Sequence, residues 1–479
     1  MLDLGDIQAD VVIGLQKDVE NFILFKIVDK ISFRALVKQH VIGRITSAEK
    51  AHYREMMIWR RQKLGQKTRE RLEGLNVGFT KDGLTKLINI GWPEFDPAFE
   101  RGAEHPDTIE ALNDPPVSHW VCKFLSDRID GLFLVTGHDR SFVTFHSNQL
   151  LSFLGSSIKV VCSEIGNTRP GAERKREHFG FLDGISQPGI RGLTTVRDPR
   201  RGPDEVLPGQ DLLWPGEFVF GYPGQHPDHP TKQGPAPEMA APWMRNGSYM
   251  VFRRLEQKVP EFRRFVREQA ARLGMDPELL AARMVGRWKN GAPMELAPRR
   301  DDPVLGRDEK RNNDFEYGDD PEQRRCPYAA HIRKVYPRDD ALSGEAEAQR
   351  HRIIRAGIPF GPEVAPGEMT TRYSRGLMFV CYQTSIERQF EFIQRQANDP
   401  DFVSGKRRPG GGRTVAPGFD PIIGQAEGGG ARDMDEPFPN YPAGNRRTTL
   451  QMPKQFVVLT AAGYFFMPSI TALRTVLTN

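Results

Sequence analysis

Three short segments hold residue types with chemistry to offer. Residues 178–190 read HFGFLDGISQPGI, with Asp183 set between Gly180 and Gly184 and beside two phenylalanines. Asp-Gly is a strong turn signal, and an Asp there often caps only its own backbone. The alternative is a glycine-flanked loop that lets backbone approach a flat ligand, with a carboxylate in an apolar setting that raises its pKa and suits it to shuttling a proton. Residues 326–338 read CPYAAHIRKVYPR, with His331 followed by Arg333 and Lys334. A lone His is usually a satisfied structural residue, but imidazole is also a common axial ligand of haem iron, and neighbouring cations could meet its propionates. Residues 350–363 read RHRIIRAGIPFGPE. Arg355, beside an apolar turn, is placed to project a fixed positive charge into a cavity and stabilise a developing anion, whereas Arg352 reads as surface-solvated.

These groups need a scaffold. The first half suggests strands at 21–28, 131–137 and 157–164 and helices at 32–46 and 142–154. The stretch from Thr194 to Pro215, rich in Pro, Gly, Asp and Arg, reads as a linker between domains. The second half begins again with a strand at 248–255. A helix follows, with Pro260 in its first turn and Val259, Phe262, Val266, Ala270 and Leu273 on one stripe. A further helix is expected at 277–288 and a charged surface loop at 297–325. A buried strand is expected at 376–382, then a helix opened by a Thr384–Glu387 capping box. Residues 403–447 show little periodicity, and a loop of that length is usually functional. The chain closes with strands at 455–461 and 464–467. The pattern implies two α+β halves rather than a strictly alternating doubly wound sheet.

Composition narrows the function classes. The chain has 479 residues, with 67 Lys and Arg against 62 Asp and Glu, a net charge of +5. No block of like charges suggests a nucleic-acid arm or a polybasic membrane anchor. The longest apolar stretch, Phe456 to Ile470, is broken by Gly463 and Pro468 and is too short to span a bilayer. The N-terminal residues MLDLGDIQADVVIGL lack a basic region and a cleavage site, so a cytoplasmic location is expected. Cys122, Cys162, Cys326 and Cys381 lie far apart without a C-x-x-C pair, so free thiols are expected rather than a disulfide framework or a zinc site.

Taken together the motifs resemble those of the dye-decolorizing peroxidases, in particular the larger bacterial and fungal members. The resemblance rests on Gly180-Phe181-Leu182-Asp183-Gly184, on Ala330-His331-Ile332-Arg333-Lys334 and on Arg355-Ala356-Gly357. It extends to NGSYMVFRRLEQ at 246–257, MVGRWKNGAP at 284–293, GLMFVCYQTSIERQFEFIQ at 376–394 and DPIIGQ at 420–425, so it covers essentially the whole chain. It implies an α+β fold of two ferredoxin-like domains with antiparallel sheets, here placed at 1–205 and 206–479, with a haem pocket mainly in the second. It implies one haem b, with His331 as the iron ligand and Asp183 and Arg355 as the catalytic pair on the open side. Arg333, Gly184, Leu377 and Phe379 would contact the haem, the last two by alternation on one strand face. Asp420 is the candidate acid behind His331, with Asp399 and Asp401 as rivals.

The implied activity is peroxide-dependent, one-electron oxidation of bulky dyes and phenolic compounds. The implied partners are hydrogen peroxide and an aromatic electron donor, with oligomerisation left open and no nucleic acid or membrane expected. A carboxylate with an intrinsic pKa near 4, used in place of a distal His, puts optimum turnover below neutral pH. Some relatives carry a Tyr in the Ile-Pro-aromatic-Gly turn. Here it is Phe360, which cannot form a tyrosyl radical. The rival reading is a haem-handling protein, a carrier or deferrochelatase-like activity, which would use His331 without needing the Asp183–Arg355 pair.

Overall fold

The computed structural model describes residues 1–15, 17–65, 73–88, 94–121, 129–193, 202, 204–341, 344–402, 417–436 and 448–479. Its frame is a nine-stranded antiparallel sheet. The strands are β1 (Val19–Ile27), β2 (Glu73–Phe79), β3 (Gly131–Gly137), β4 (Ile158–Asn167), β5 (Ser248–Gln257), β6 (Ile354–Arg355), β7 (Ile358–Phe360), β8 (Gly376–Gln383) and β9 (Val457–Met467).

The order of pairing explains the two halves. The first four strands lie in the order β4-β1-β3-β2, and β9-β5-β8-β7 repeats that order in the second half. Each set is a ferredoxin-like β-α-β-β-α-β unit. The expected domain boundary at 205/206 falls in the connection between β4 and β5. The two sets meet along β4–β7, where Gly166 faces Phe360, and along β2–β9, where Phe79 faces Phe466. The sheet thereby closes into a barrel, which removes its exposed edges.

Alternation decides what each strand face buries. Phe22 and Leu24 of β1, Leu132 and Leu134 of β3, Met250 and Phe252 of β5, and Met378 and Val380 of β8 form one cluster inside the barrel. Phe22 and Phe252 join the two halves there, with ring centroids 5.2 Å apart. Such an aromatic pair adds about 0.5–1.5 kcal/mol beyond its area burial. The intervening residues face outward under helices, among them α1 (Lys30–Leu36) and α2 (Arg140–Leu154), to which Phe33, Val143, Leu150 and Leu154 belong.

Several expectations need correction. The last two strands are one, β9, with an irregularity between Leu459 and Ala461. The charged segment 297–325 is a surface loop only in part: most of its charged residues are exposed, but Phe315 and Tyr317 within it are buried and line a cavity. The helical segment after β8 is capped one residue later than the expected box. Ser385 accepts the Arg388 N–H at 3.2 Å, while the Thr384 hydroxyl is drawn off to the Gly216 carbonyl. Cys326 and Cys381 are buried free thiols, but Cys162 is disulfide-bonded. Pairing depends on Cα atoms coming within about 4.4–6.8 Å, which sequence separation does not encode. Residues 403–416 and 437–447 of the long expected loop lie outside the described residues, as does Cys122, while 432–436 forms a strand paired with 448–452. No helix among the described residues is long and apolar enough to cross a membrane.

Candidate active site

The outer face of the second sheet carries the site. On β8 the residues alternate, with Leu377 and Phe379 only partly buried between the fully buried Met378 and Val380. Leu377 pairs across the sheet with Leu255, and Phe379 with Arg253. All four side chains line one cavity. It holds about 1940 Å³ of atom-free space, part of it open to solvent. Phe179, Phe181, Val285, Phe390, Ile422 and Val457 complete walls that are mostly apolar, as ligand sites generally are.

His331, Asp183, Arg355 and Gly184 open onto this same cavity. His331 begins a short helix, which lies between α3 (Val259–Leu273) and α5 (Phe392–Asn398) in chain order and is labelled α4 (His331–Val335). Its Nδ1 stands 2.7 Å from Oδ2 of Asp420, a carboxylate with no exposure. Asp420 is fixed in turn by the N–H groups of Ile422 and Ile423, both donating to Oδ1, at 2.7 and 3.0 Å. With Nδ1–H donating to the carboxylate, the imidazole is left in the tautomer whose Nε2 lone pair is available for a metal. Of the three acids considered, Asp420 is therefore the one that meets His331. Asp399 and Asp401 are exposed.

Asp183 lies in the loop after β4. Gly184 has φ of +81°, a conformation that side-chain-bearing residues rarely adopt, and its N–H donates to Asp183 Oδ1 at 2.6 Å. Arg355 Nη1 donates to the same oxygen at 3.1 Å, leaving Oδ2 for a proton. The Asp183 side chain is 44% exposed and that of Arg355 32%, so their ion pair contributes no more than about 1 kcal/mol to stability. Its effect is positional, since it holds a proton carrier and a fixed cation over one space. Arg355 is held from behind, where Gln187 accepts its backbone N–H and donates to its carbonyl. Gly357 is required by closeness, because a Cβ there would stand 2.7 Å from the Met378 carbonyl oxygen.

Two expectations about cations are reversed. Arg333 does not reach the cavity. It is fully buried and bonded to Asp340 at 2.6 Å, to Asp320 and to the Cys326 carbonyl. Two positions along a helix rotate a side chain by about 200°, so Arg333 leaves α4 on the face away from His331. Arg352, read as solvated, is instead 8% exposed and lines the cavity with its guanidinium 4.0 Å above the Tyr336 ring. Arg287 and Arg338 line it as well, and sequence reasoning missed both. Arg338 has a φ of +55°, a local strain that no composition pattern signals.

The loop that presents Asp183 also carries an acid-sensitive group. His178 is buried, and its Nε2 lies 2.8 Å from the Phe360 carbonyl oxygen of β7. Burial, the largest influence, pushes its pKa down to about 4. Between pH 6.5 and 4 the unfolded chain therefore binds a proton that the folded chain refuses, and stability falls as pH falls through that window. The full effect is about 3 kcal/mol at most. His178→Gln is expected to flatten the decline in melting temperature between pH 6.5 and pH 4. Equal slopes in the two proteins would rule His178 out as the cause.

The chain is similar to known proteins over nearly its whole length. Residues 6–170 match the model of the DyP dimeric alpha+beta barrel domain, and residues 293–406 match the Dyp-type peroxidase C-terminal model. The dye-decolorizing peroxidase msp1 of Mycetinis scorodonius is 36% identical over 99% of this chain and 88% of its own. The chain belongs to the dye-decolorizing peroxidase family. Among solved structures, an ancestral D-type dye decolorizing peroxidase superposes with a TM-score of 0.84 at 38% identity, covering 99% of both chains. A dye-decolorizing peroxidase in complex with 2,6-dimethoxyphenol gives 0.82 at 36% identity, covering 100% of both. Members of the family are haem enzymes, and the chain is a peroxidase of the dye-decolorizing type.

Proposed function

We propose that the cavity holds one haem b, that His331 ligates its iron, and that Asp183 and Arg355 carry the reaction with hydrogen peroxide. The observation that carries the reading is the convergence of all three side chains on one apolar-walled cavity, with the imidazole already oriented by Asp420. The donor set fits the group. The cavity offers an imidazole, aliphatic and aromatic walls formed by Leu377, Phe379 and Ile422, and the guanidinium groups of Arg338 and Arg352 for anionic edge groups. Haem, when bound, would supply an iron centre that gives up two electrons to peroxide and is restored by single electrons taken from a donor.

The chain's own residues do the rest. Asp183 Oδ2 takes a proton from incoming peroxide and returns it to the departing oxygen. Arg355 stays protonated at any working pH, and its charge stabilises the negative charge that develops as the O–O bond breaks. The apolar walls exclude water and so strengthen both effects. Asp420 strengthens the imidazole as a ligand by holding its Nδ1 proton.

An aromatic electron donor and a bulky dye are the proposed reducing substrates. Phe360 is buried under the Arg254 guanidinium, 4.2 Å above its ring, a cation that further disfavours oxidation there. A deferrochelatase-like role is weaker on two counts: it leaves the Asp183–Arg355 pair without a purpose, and the Yersinia pestis deferrochelatase aligns with only 36% of this chain, at 28% identity. The disulfide at Cys162 favours an oxidising compartment over the cytoplasmic location expected from the N-terminal residues. Peroxide-dependent oxidation of an anthraquinone dye by the haem-loaded protein is expected to peak below neutral pH. A rate that climbs steadily to pH 8 would show that Asp183 is not the proton carrier.

A further inference from the structure

The loop that carries Asp183 is wound around a second carboxylate. Glu177 lines the cavity together with Phe179, Phe181, Asp183 and Gln257. The Phe179 N–H donates to its Oε2 and the Phe181 N–H to its Oε1, each at 2.8 Å. The side-chain amide of Gln257, the last residue of β5, also donates to Oε2, and its oxygen accepts the His178 N–H at 3.3 Å. Three N–H donors therefore converge on two oxygens. A carboxylate satisfies all three, whereas an amide would turn its NH2 group toward one of them. The neighbouring Arg169 forms its ion pairs with Glu173 and Glu363 and reaches Glu177 only at the backbone carbonyl, at 2.7 Å. Burial pushes the Glu177 carboxyl up, and the hydrogen bonds from Gln257, Phe179 and Phe181 oppose that rise.

The rest of the loop is set from this point. The Glu177 N–H donates to the Phe181 carbonyl at 3.1 Å, and the Gly180 N–H returns to the Glu177 carbonyl at 2.9 Å, in a turn that Gly180 permits with φ of +105°. The N–H groups of Leu182 and Asp183 then donate to the carbonyls of Lys289 and Lys175, at 3.1 and 3.0 Å. Gln257 ties this loop to the sheet that floors the cavity, and Arg355 stands on the same sheet, where β6 and β5 both pair with β8.

We propose that Glu177 is a positioning residue for the peroxide reaction: by gathering the Phe179 and Phe181 N–H groups and docking on Gln257, it sets where Asp183 stands relative to Arg355. The exposed Asp183–Arg355 ion pair is too weak to hold that geometry alone. Hydrogen bonds to an ionised acceptor are roughly twice as strong as neutral ones, so the Glu177 carboxylate is the stronger tie. Misplacing a reacting group by about 1 Å costs up to about 10²-fold in rate, which gives so small a device a large effect.

This role presupposes Asp183 as the proton carrier, and the experiment keeps the two apart. Haem-loaded wild type, Glu177→Gln, Asp183→Asn and the double variant are mixed with hydrogen peroxide and followed by stopped-flow absorbance, with haem content read from the Soret band. Glu177→Gln is expected to load haem as wild type does and to react about 10- to 100-fold more slowly. In the Asp183→Asn background the same substitution is expected to cost less than about twofold, because its effect runs through the carboxylate already removed. Amide hydrogen exchange of haem-loaded Glu177→Gln, read by mass spectrometry, is expected to quicken about tenfold or more across residues 178–184, while β1 exchanges as in wild type. A wild-type peroxide rate in Glu177→Gln overturns the proposal. So does wild-type exchange over 178–184, or an undiminished further loss on top of Asp183→Asn. Should Glu177→Gln fail to load haem, Gln257→Met carries the test, since it leaves the carboxylate in place and removes its tie to β5. That variant is expected to lose about threefold or more in peroxide rate with faster exchange in the same segment, and wild-type behaviour in both overturns the role. A full-rate Asp183→Asn protein would instead remove the proton-carrier assignment, and the positioning role would fall with it.

Discussion

Asp183→Asn is expected to bind haem as wild type does and to lose about 10²–10⁴ in kcat/KM for hydrogen peroxide. Asparagine fills the same space and keeps an oxygen for the Gly184 N–H, but it cannot take and return a proton. Arg355→Leu, made separately, removes one fixed cation from the developing charge. The cost of one such donor is about 10²–10³ in rate, or roughly 3–4 kcal/mol. The two losses should not add, because both groups act on one bond-breaking event and share the contact at Asp183 Oδ1. Stopped-flow absorbance under excess peroxide gives both rate constants. Full-rate variants with a normal haem content would mean that the pair has another purpose.

The second large effect lies on the other side of the chemistry. His331→Ala is expected to abolish stoichiometric haem binding, read from Soret absorbance per protein after titration of the apoprotein. The fold should survive, since His331 is partly exposed on a five-residue helix whose neighbours Arg333 and Lys334 are independently bonded. Melting temperature without haem should therefore change little, and that comparison separates lost ligation from lost structure. Asp420→Asn should be milder in haem content and altered in spectrum, because the ring would lose the anionic acceptor for its Nδ1 proton while the imidazole itself remains.

How much of the molecule is legible in its sequence varies with the length scale. The strands at 131–137, 248–257 and 376–383 announce themselves by apolar runs bounded by turns, and the stripe from Val259 to Leu273 announces its helix. Asp183, His331 and Arg355 are legible because each sits in a short segment of unusual chemistry. Their meeting in one cavity is not legible, since positions 183 and 355 are brought together only when β4 and β7 join two separate sheets into a barrel. That seam rests on long-range pairing, which no local window contains. Arg333 misleads because adjacency in sequence is not adjacency on a helix. Arg338 escapes notice for the complementary reason: it lies in a segment with no periodicity, where only the folded backbone says what an arginine meets. Lys334 reads in the sequence as a cation for propionates beside the ligand, whereas its ammonium turns to the carbonyls around Asp420.

The most direct measurement is a single turnover. Haem-loaded wild type and Asp183→Asn are each mixed with one equivalent of hydrogen peroxide, followed by two equivalents of a one-electron phenolic donor, with the Soret band recorded throughout. The account predicts a rapid spectral change in wild type that returns fully to ferric after the second electron, and a change slowed by orders of magnitude in the variant. Equal rates in the two proteins, or a wild-type band that bleaches without recovery, would contradict it.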